Sequence, residues 1–234
     1  MRLQLSKVMY LAIATCLILA GCVHTAEPIE AWVVDADNGQ PISDVVVVAN
    51  WQMKGGMEGG NDVGQLMVME TVTDKKGRFF FPGWGPKIAW AGRVKSDRPQ
   101  FLIFKTGYKP QSLSNYPLID DPHAHDIVLK SEWNGKTIKL GKPAAEPKDR
   151  LWEFVEFNID VQTVTGSYEA CEWKNIPKML SEIHIQRLAL IEQRITNDVN
   201  DIRSIDKYIL SVAESYAREG NSKCGSPKDL FKSK

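Results

Sequence analysis

Between Glu30 and Lys130 apolar residues alternate with polar ones or gather in short β-branched runs, and turn-formers separate the runs. IEAWVVD, the cluster DADNGQP and then DVVVVANW predict two strands joined by a tight hairpin. Asn38-Gly39 supplies the positive φ such a turn needs, and Pro41 sets the backbone that leads into the next strand. QLMVMETVTD, Lys75-Lys76-Gly77 and RFFFP predict a second hairpin, with Gly77 at its left-handed position. QFLIFK then runs into Thr106-Gly107-Tyr108, and HDIVLK gives a last short strand. Short strands with turn signals this regular predict a mostly antiparallel β-sandwich over residues 30–131. Pro143, Pro147 and the Lys, Ala and Glu around them predict a linker over 132–150.

The C-terminal region, 151–234, changes period. DRLWEFVEFNIDVQTV is mixed, and its pattern leaves helix and strand both open. From Pro177 the spacing is helical: Leu180, Ile183, Leu188, Ile191 and Ile195 form one stripe. Val199, Ile202, Ile205, Ile209, Val212 and Tyr216 form another, stopped by Gly220-Asn221. Periodicity alone permits one long helix. A single helix over 177–218 would span about 60 Å and hold Cys171 and Cys224 far apart. A reversal at Asn197-Asp198 brings them to one end, within disulfide range. A helical hairpin over 177–218, closed by a Cys171–Cys224 disulfide, is therefore expected.

The first residues are an address rather than part of the fold. Arg2 and Lys7 precede an apolar run from Val8 to Ala20, too short to cross a bilayer as a helix. The stretch Leu19-Ala20-Gly21-Cys22 resembles the lipobox of bacterial lipoproteins. The resemblance implies that residues 1–21 are a signal peptide, that the Cys22 thiol carries a diacylglycerol thioether, and that the new amine is acylated. Residues 22–29 would then be a lipidated tether. Two or three acyl chains hold a protein stably on a membrane, whereas one does so only marginally. Val23, rather than Asp, follows the cysteine. By the Gram-negative sorting rule this implies the outer membrane, or the outer face of the cell membrane in a Gram-positive host.

The whole chain has 29 basic and 29 acidic residues, and loss of Arg2 and Lys7 leaves the mature part at −2. That balance gives no electrostatic case for nucleic acid. An exported chain meets an oxidising compartment, which favours a disulfide for Cys171 and Cys224 over a metal or redox site.

The N-terminal half also carries a family likeness. VVDADNGQPISDVVV, TVTDKKGRFFFP and FKTGYKP resemble the carboxypeptidase regulatory-like domain, a seven-stranded transthyretin-like sandwich. The matching residues are Val34, Asp35, Gly39, Pro41, Ile42, Val45 and Val47, then Thr73, Asp74, Gly77, Phe79 and Pro82, and finally Gly107 and Tyr108. Asp44 stands where the family often has Gly, and GWGPKIAWAGRVKSDR replaces a short link. The likeness implies an accessory module and no peptidase activity in this half.

Candidate chemistry is sparse. His123-x-His125, within Asp120 to Asp126, puts two imidazoles on one face of a strand and is the metal candidate; a polar turn explains the same residues. Trp84 and Trp90, on the inserted loop, are candidates to contact a sugar or a protein partner, or to fold back over the sandwich edge. The glycines around 54–60 lack a P-loop ending and read as a strand connection. His184 falls in the helical stripe, where a packed or solvated histidine is expected. No Gly-x-Ser-x-Gly elbow, HExxH or paired carboxylates nominate catalysis, and no cofactor is implied. The expected function is a lipid-anchored binding or assembly module with an envelope protein partner. The alternatives are a metal-dependent envelope enzyme built on His123 and His125, and a periplasmic toxin-neutralising lipoprotein.

Overall fold

A computed structural model of the chain describes residues 23–55, 61–89, 92–95, 97–115, 127–165, 171–193, 209–211, 214–215, 218 and 223–231. It is mostly β, with three sheets and a few helices towards the C-terminus. The strands are β1 (Val23–Ala26), β2 (Ile29–Asp35), β3 (Val46–Gly55), β4 (Asn61–Val72), β5 (Arg78–Phe81) and β6 (Trp84–Ile88). They continue as β7 (Arg93–Val94), β8 (Gln100–Phe104), β9 (Gln111–Leu113), β10 (Val128–Leu129) and β11 (Thr137–Leu140). Among the described residues two α-helices follow, α1 (Pro147–Thr165) and α2 (Pro177–Glu192), and residues 209–211 are also helical.

The largest sheet runs β4-β3-β8-β9, with β7 pairing to β3. Two three-stranded sheets, β10-β1-β6 and β11-β2-β5, repeat one pattern. The chain passes from β1 into β2, from β5 into β6 and from β10 into β11, so the second sheet extends the first. Most pairings are antiparallel; β1 with β10 and β2 with β11 are parallel.

Alternation explains the packing. On β3, Val47, Ala49, Trp51 and Met53 turn to the sheet containing β2, β5 and β11, where Ala31, Val33, Phe79, Phe81, Ile138 and Leu140 meet them. Phe79, Phe81 and Phe101 lie with ring centres 5.8 to 6.0 Å apart. Each such ring contributes roughly 1.5–3 kcal/mol by leaving water. On the other face of β3, Val46 and Val48 join Leu102 and Phe104 beneath the helices. Phe154, Phe157, Val161 and Val164 of α1, and Met179, Leu180, Ile183 and Leu190 of α2, cover them.

Several expectations change. The tether of 22–29 contains β1, whose backbone pairs with β6 and β10. The linker of 132–150 contains β11, which pairs with β2 along its whole length, and the first turn of α1. Thr137-Ile138-Lys139-Leu140 alternates exposed and buried, a strand signal only four residues long. Eleven strands occur among the described residues, where seven were expected. The stretch left open between helix and strand is α1, and its period was blurred because Trp152 and Ile159 are exposed on the face away from the core. On α2 the buried stripe is Leu180, Ile183, Arg187 and Leu190, whereas Leu188 is exposed. Asp44 has φ 57°, the left-handed region glycine favours.

Candidate functional site

The end of β2 is tied down by a polar network. Asp35 Oδ1 accepts the backbone N–H groups of Asp37 and Asn38, at 2.9 and 3.3 Å. Its Oδ2 accepts the Tyr108 hydroxyl and the Lys142 ammonium, each at 2.9 Å. The ammonium also sits 4.0 Å from the centre of the Tyr108 ring. The Lys142 ammonium first, then these N–H and O–H donors, hold the Asp35 carboxyl down at about 2. The Lys142 pKa is raised in turn, chiefly by the same bond. The network fixes the β8–β9 turn and the segment after β11 against β2.

Beside this network lies a cleft of about 190 Å³ at the seam between the sheets and the helices. Phe104 and Tyr108 come from the sheet side, Pro143 from the segment entering α1, Arg150 and Phe154 from α1, and Leu190 from α2. Pockets that enclose a small molecule usually measure roughly 300–1,000 Å³, so this one fits a single large side chain or a ligand of few atoms. Among the described residues Arg150 Nε has no hydrogen-bond partner. Glu153, on the same wall, pairs with Lys109 at 3.0 Å and accepts the Ala144 N–H at 3.1 Å. Thr106, Gln186 and Gln193 add polar groups to the same lining, so the walls are mixed in character.

The helix-covered face of the large sheet turns polar along its length. Past Val46 and Val48 the next two residues of β3 on that face are Asn50 and Gln52, both buried. Gln52 Oε1 accepts from Arg98 at 2.6 Å and from Lys95 at 2.7 Å, and Gln100 donates to Ser112 at 2.7 Å. Both amide atoms of Asn50, Gln100 Oε1, Arg98 Nε and Gln65 Oε1 are buried with no partner among the described residues. Burial lowers the Arg98 pKa.

Two carboxylates of the helical layer carry the same mark. Glu70 of β4 accepts the N–H groups of Lys178 and Met179, at 3.0 and 2.7 Å, and so caps α2 from across the layers. No side chain at the helix's own N-cap, Ile176, does this. Burial raises the Glu70 pKa against those two bonds. Burial also pushes the Glu172 carboxyl up to about 7, opposed only by the backbone N–H of Gln65.

The expected site residues fall as follows. Cys171 and Cys224 form a disulfide with Cα atoms 5.3 Å apart, and Ile209 joins the core cluster of α1 and α2. α2 ends at Glu192, so no single helix runs over 177–218. Trp84 is half-buried and packs edge-on against Trp51, with ring centres 5.2 Å apart. Cys22, Trp90, His123, His125 and the reversal at 197–198 lie outside the described residues. His184 lies 3.2 Å from Arg187 and packs on Phe231. Among the described residues no three His, Cys, Asp or Glu gather as a metal set, and no helix is long and apolar enough to cross a membrane. Sequence reasoning missed Asp35 as a hub and Arg150 altogether. FKTGYKP was seen as a turn, but its Tyr108 gave no hint of the partner contributed by Lys142, across β11.

No protein-family model matches the chain, and no curated protein matches it. Among solved structures it is similar to 3-chlorocatechol 1,2-dioxygenase from Rhodococcus opacus 1CP, at 18% identity over 51% of this chain and 60% of that one, TM-score 0.31. A second is the dioxygenase domain of a dioxygenase–carbohydrate-binding fusion from Streptomyces sp. SirexAA-E, at 12% identity over 52% and 81%, TM-score 0.25. A third is a 9R-lipoxygenase from Cyanothece PCC8801, at 11% identity over 87% and 29%, TM-score 0.24. At these scores the likenesses carry no argument about fold or chemistry.

Proposed function

We propose that the protein is a lipid-anchored envelope module that binds a protein partner and performs no catalysis. The observation that carries this reading is Leu19-Ala20-Gly21-Cys22 behind a short apolar run, which marks Cys22 for acylation and export. Outer-membrane anchorage facing the periplasm follows from Val23 at the next position. The Cys171–Cys224 disulfide supports an oxidising compartment. A cleft with room for one large side chain is consistent with a protein partner. The N-terminal half is read as a carboxypeptidase regulatory-like sandwich. Its seven strands are β2, β5 and β11 facing β3, β4, β8 and β9, and the remaining strands are additions to that core. In-cell cross-linking of the lipidated protein, followed by mass spectrometry, tests the function. One abundant envelope partner is expected; capture of nothing above background contradicts the reading.

A further inference from the structure

β1 begins at Val23, the residue directly after Cys22. No flexible stretch separates the expected acylation site from the folded body. Consecutive Cα atoms lie about 3.8 Å apart, so the acyl chains leave the protein at the start of β1, the central strand of the β10-β1-β6 sheet.

That sheet is apolar on its outer face around β1. Val23 stands opposite Ile88 of β6, and Thr25 opposite Val128 of β10. Directly opposed residues share a face and successive residues alternate, so Val23, Thr25, Ile88 and Val128 all point outward. His24 and Ala26 point inward and are buried. Ile88 is 39% exposed and Val128 43%, two of the eight large exposed apolar side chains among the described residues. The three strands contain no acid and one cation, Lys87.

We propose that this outward face rests on the bilayer, so that the folded body lies against the lipid rather than hanging from a tether. The inference rests on acylation of Cys22, the reading given above. Lipid is the occupant because the anchor holds it there: the acyl chains enter the membrane one residue from Val23, and Ile88 and Val128 flank that same strand. Anchor and apolar face then act as two membrane contacts instead of one. The chain path from β1 through β2 ends at Asp35, on the order of 40 Å of extended backbone away. The cleft beside Tyr108 therefore lies at the far end of β2 from the anchor.

The test uses full-length lipidated protein in phosphatidylethanolamine–phosphatidylglycerol vesicles that carry doxyl-labelled lipid. Single thiols introduced as Ile88→Cys, Val128→Cys and, as the distant control, Asp37→Cys take an environment-sensitive fluorophore, while Cys171 and Cys224 remain disulfide-bonded. All three positions are exposed, and circular dichroism checks each fold. Mass spectrometry of the peptide that begins at Cys22 measures acylation separately. The expected result is an acylated Cys22 with fluorescence at 88 and 128 quenched about twofold, and little quenching at 37. An acylated Cys22 with no more quenching at 88 and 128 than at 37 overturns the lipid contact and leaves the anchor standing. Self-quenching that rises with protein density, without quenching by lipid, gives the face to a second copy and also overturns the proposal. An unmodified Cys22 removes the anchor, and the lipid contact with it.

Discussion

The two faces of the large sheet are built differently. The face towards β2, β5 and β11 is closed by Trp51, Phe79, Phe81 and Phe101, which pack ring against ring. The face under α1 and α2 starts apolar, at Val46 and Val48, and then turns to Asn50, Gln52 and Gln100; both amide atoms of Asn50 and Oε1 of Gln100 have no partner among the described residues. The inter-sheet layer is held by burial spread over many residues. The helical layer leans on a few discrete ties: the Cys171–Cys224 disulfide, the Glu70 cap and a smaller apolar cluster. Buried polar atoms without partners cost free energy, so the helix-covered face is the less stable of the two. The cleft opens at that seam, at the Phe104 end of β8.

The largest expected effect comes from the disulfide. It joins residues 53 apart in sequence, and replacing both members, Cys171→Ser with Cys224→Ser, should cost about 4 kcal/mol by loop entropy. Hydrogen exchange should then accelerate in α1 and α2 before β3 and β8; equal acceleration everywhere would break the comparison. Gly77→Ala strikes the other layer. Gly77 has φ 70°, and a Cβ there would meet the Val33 carbonyl oxygen. A loss of about 3 kcal/mol is expected on thermal melting, with β2 and β5 exposed to exchange together.

Glu70→Ala removes the cap of α2. About 1–2 kcal/mol should be lost, read by denaturant unfolding, with exchange raised in the first turn from Pro177. The smallest effect is one of pH. The Glu172 carboxyl lies above its ordinary value of 4.5, at about 7, because burial disfavours its charge. A raised carboxyl favours the fold while protonated, so that contribution is full below pH 4.5 and is lost as pH rises through about 7. Glu172→Gln should flatten this slope and stabilise the protein at pH 8 by on the order of 1 kcal/mol, solvent screening of a half-exposed site included. An unchanged slope would show that the helical layer carries no penalty at Glu172.

What the sequence made legible follows from the length of each pattern. β2, β3, β4, β5 and β8 carry runs of four or more residues bounded by turns, and all were expected. Gly39 and Gly77 take the positive φ their turns required. β10 falls within HDIVLK, where a last short strand was expected. β1 and β11 are four residues long, and β11 pairs with β2 far along the chain, where periodicity carries no information. α1 was ambiguous because Trp152 and Ile159 place apolar groups on its outer face. The disulfide was legible because two cysteines and one helical period constrain each other. The cleft was not, since Tyr108, Pro143, Arg150 and Leu190 meet only after three elements have packed.

The central claim, that this is an anchored module whose partner meets the seam of sheet and helices, is tested most directly by site-specific photocross-linking in cells. A photoreactive residue would replace Gln193, at the cleft, or Phe80, exposed on β5. The account predicts one discrete protein adduct from position 193 and none from position 80. Adducts from position 80 alone, or the same adducts from both, would contradict it.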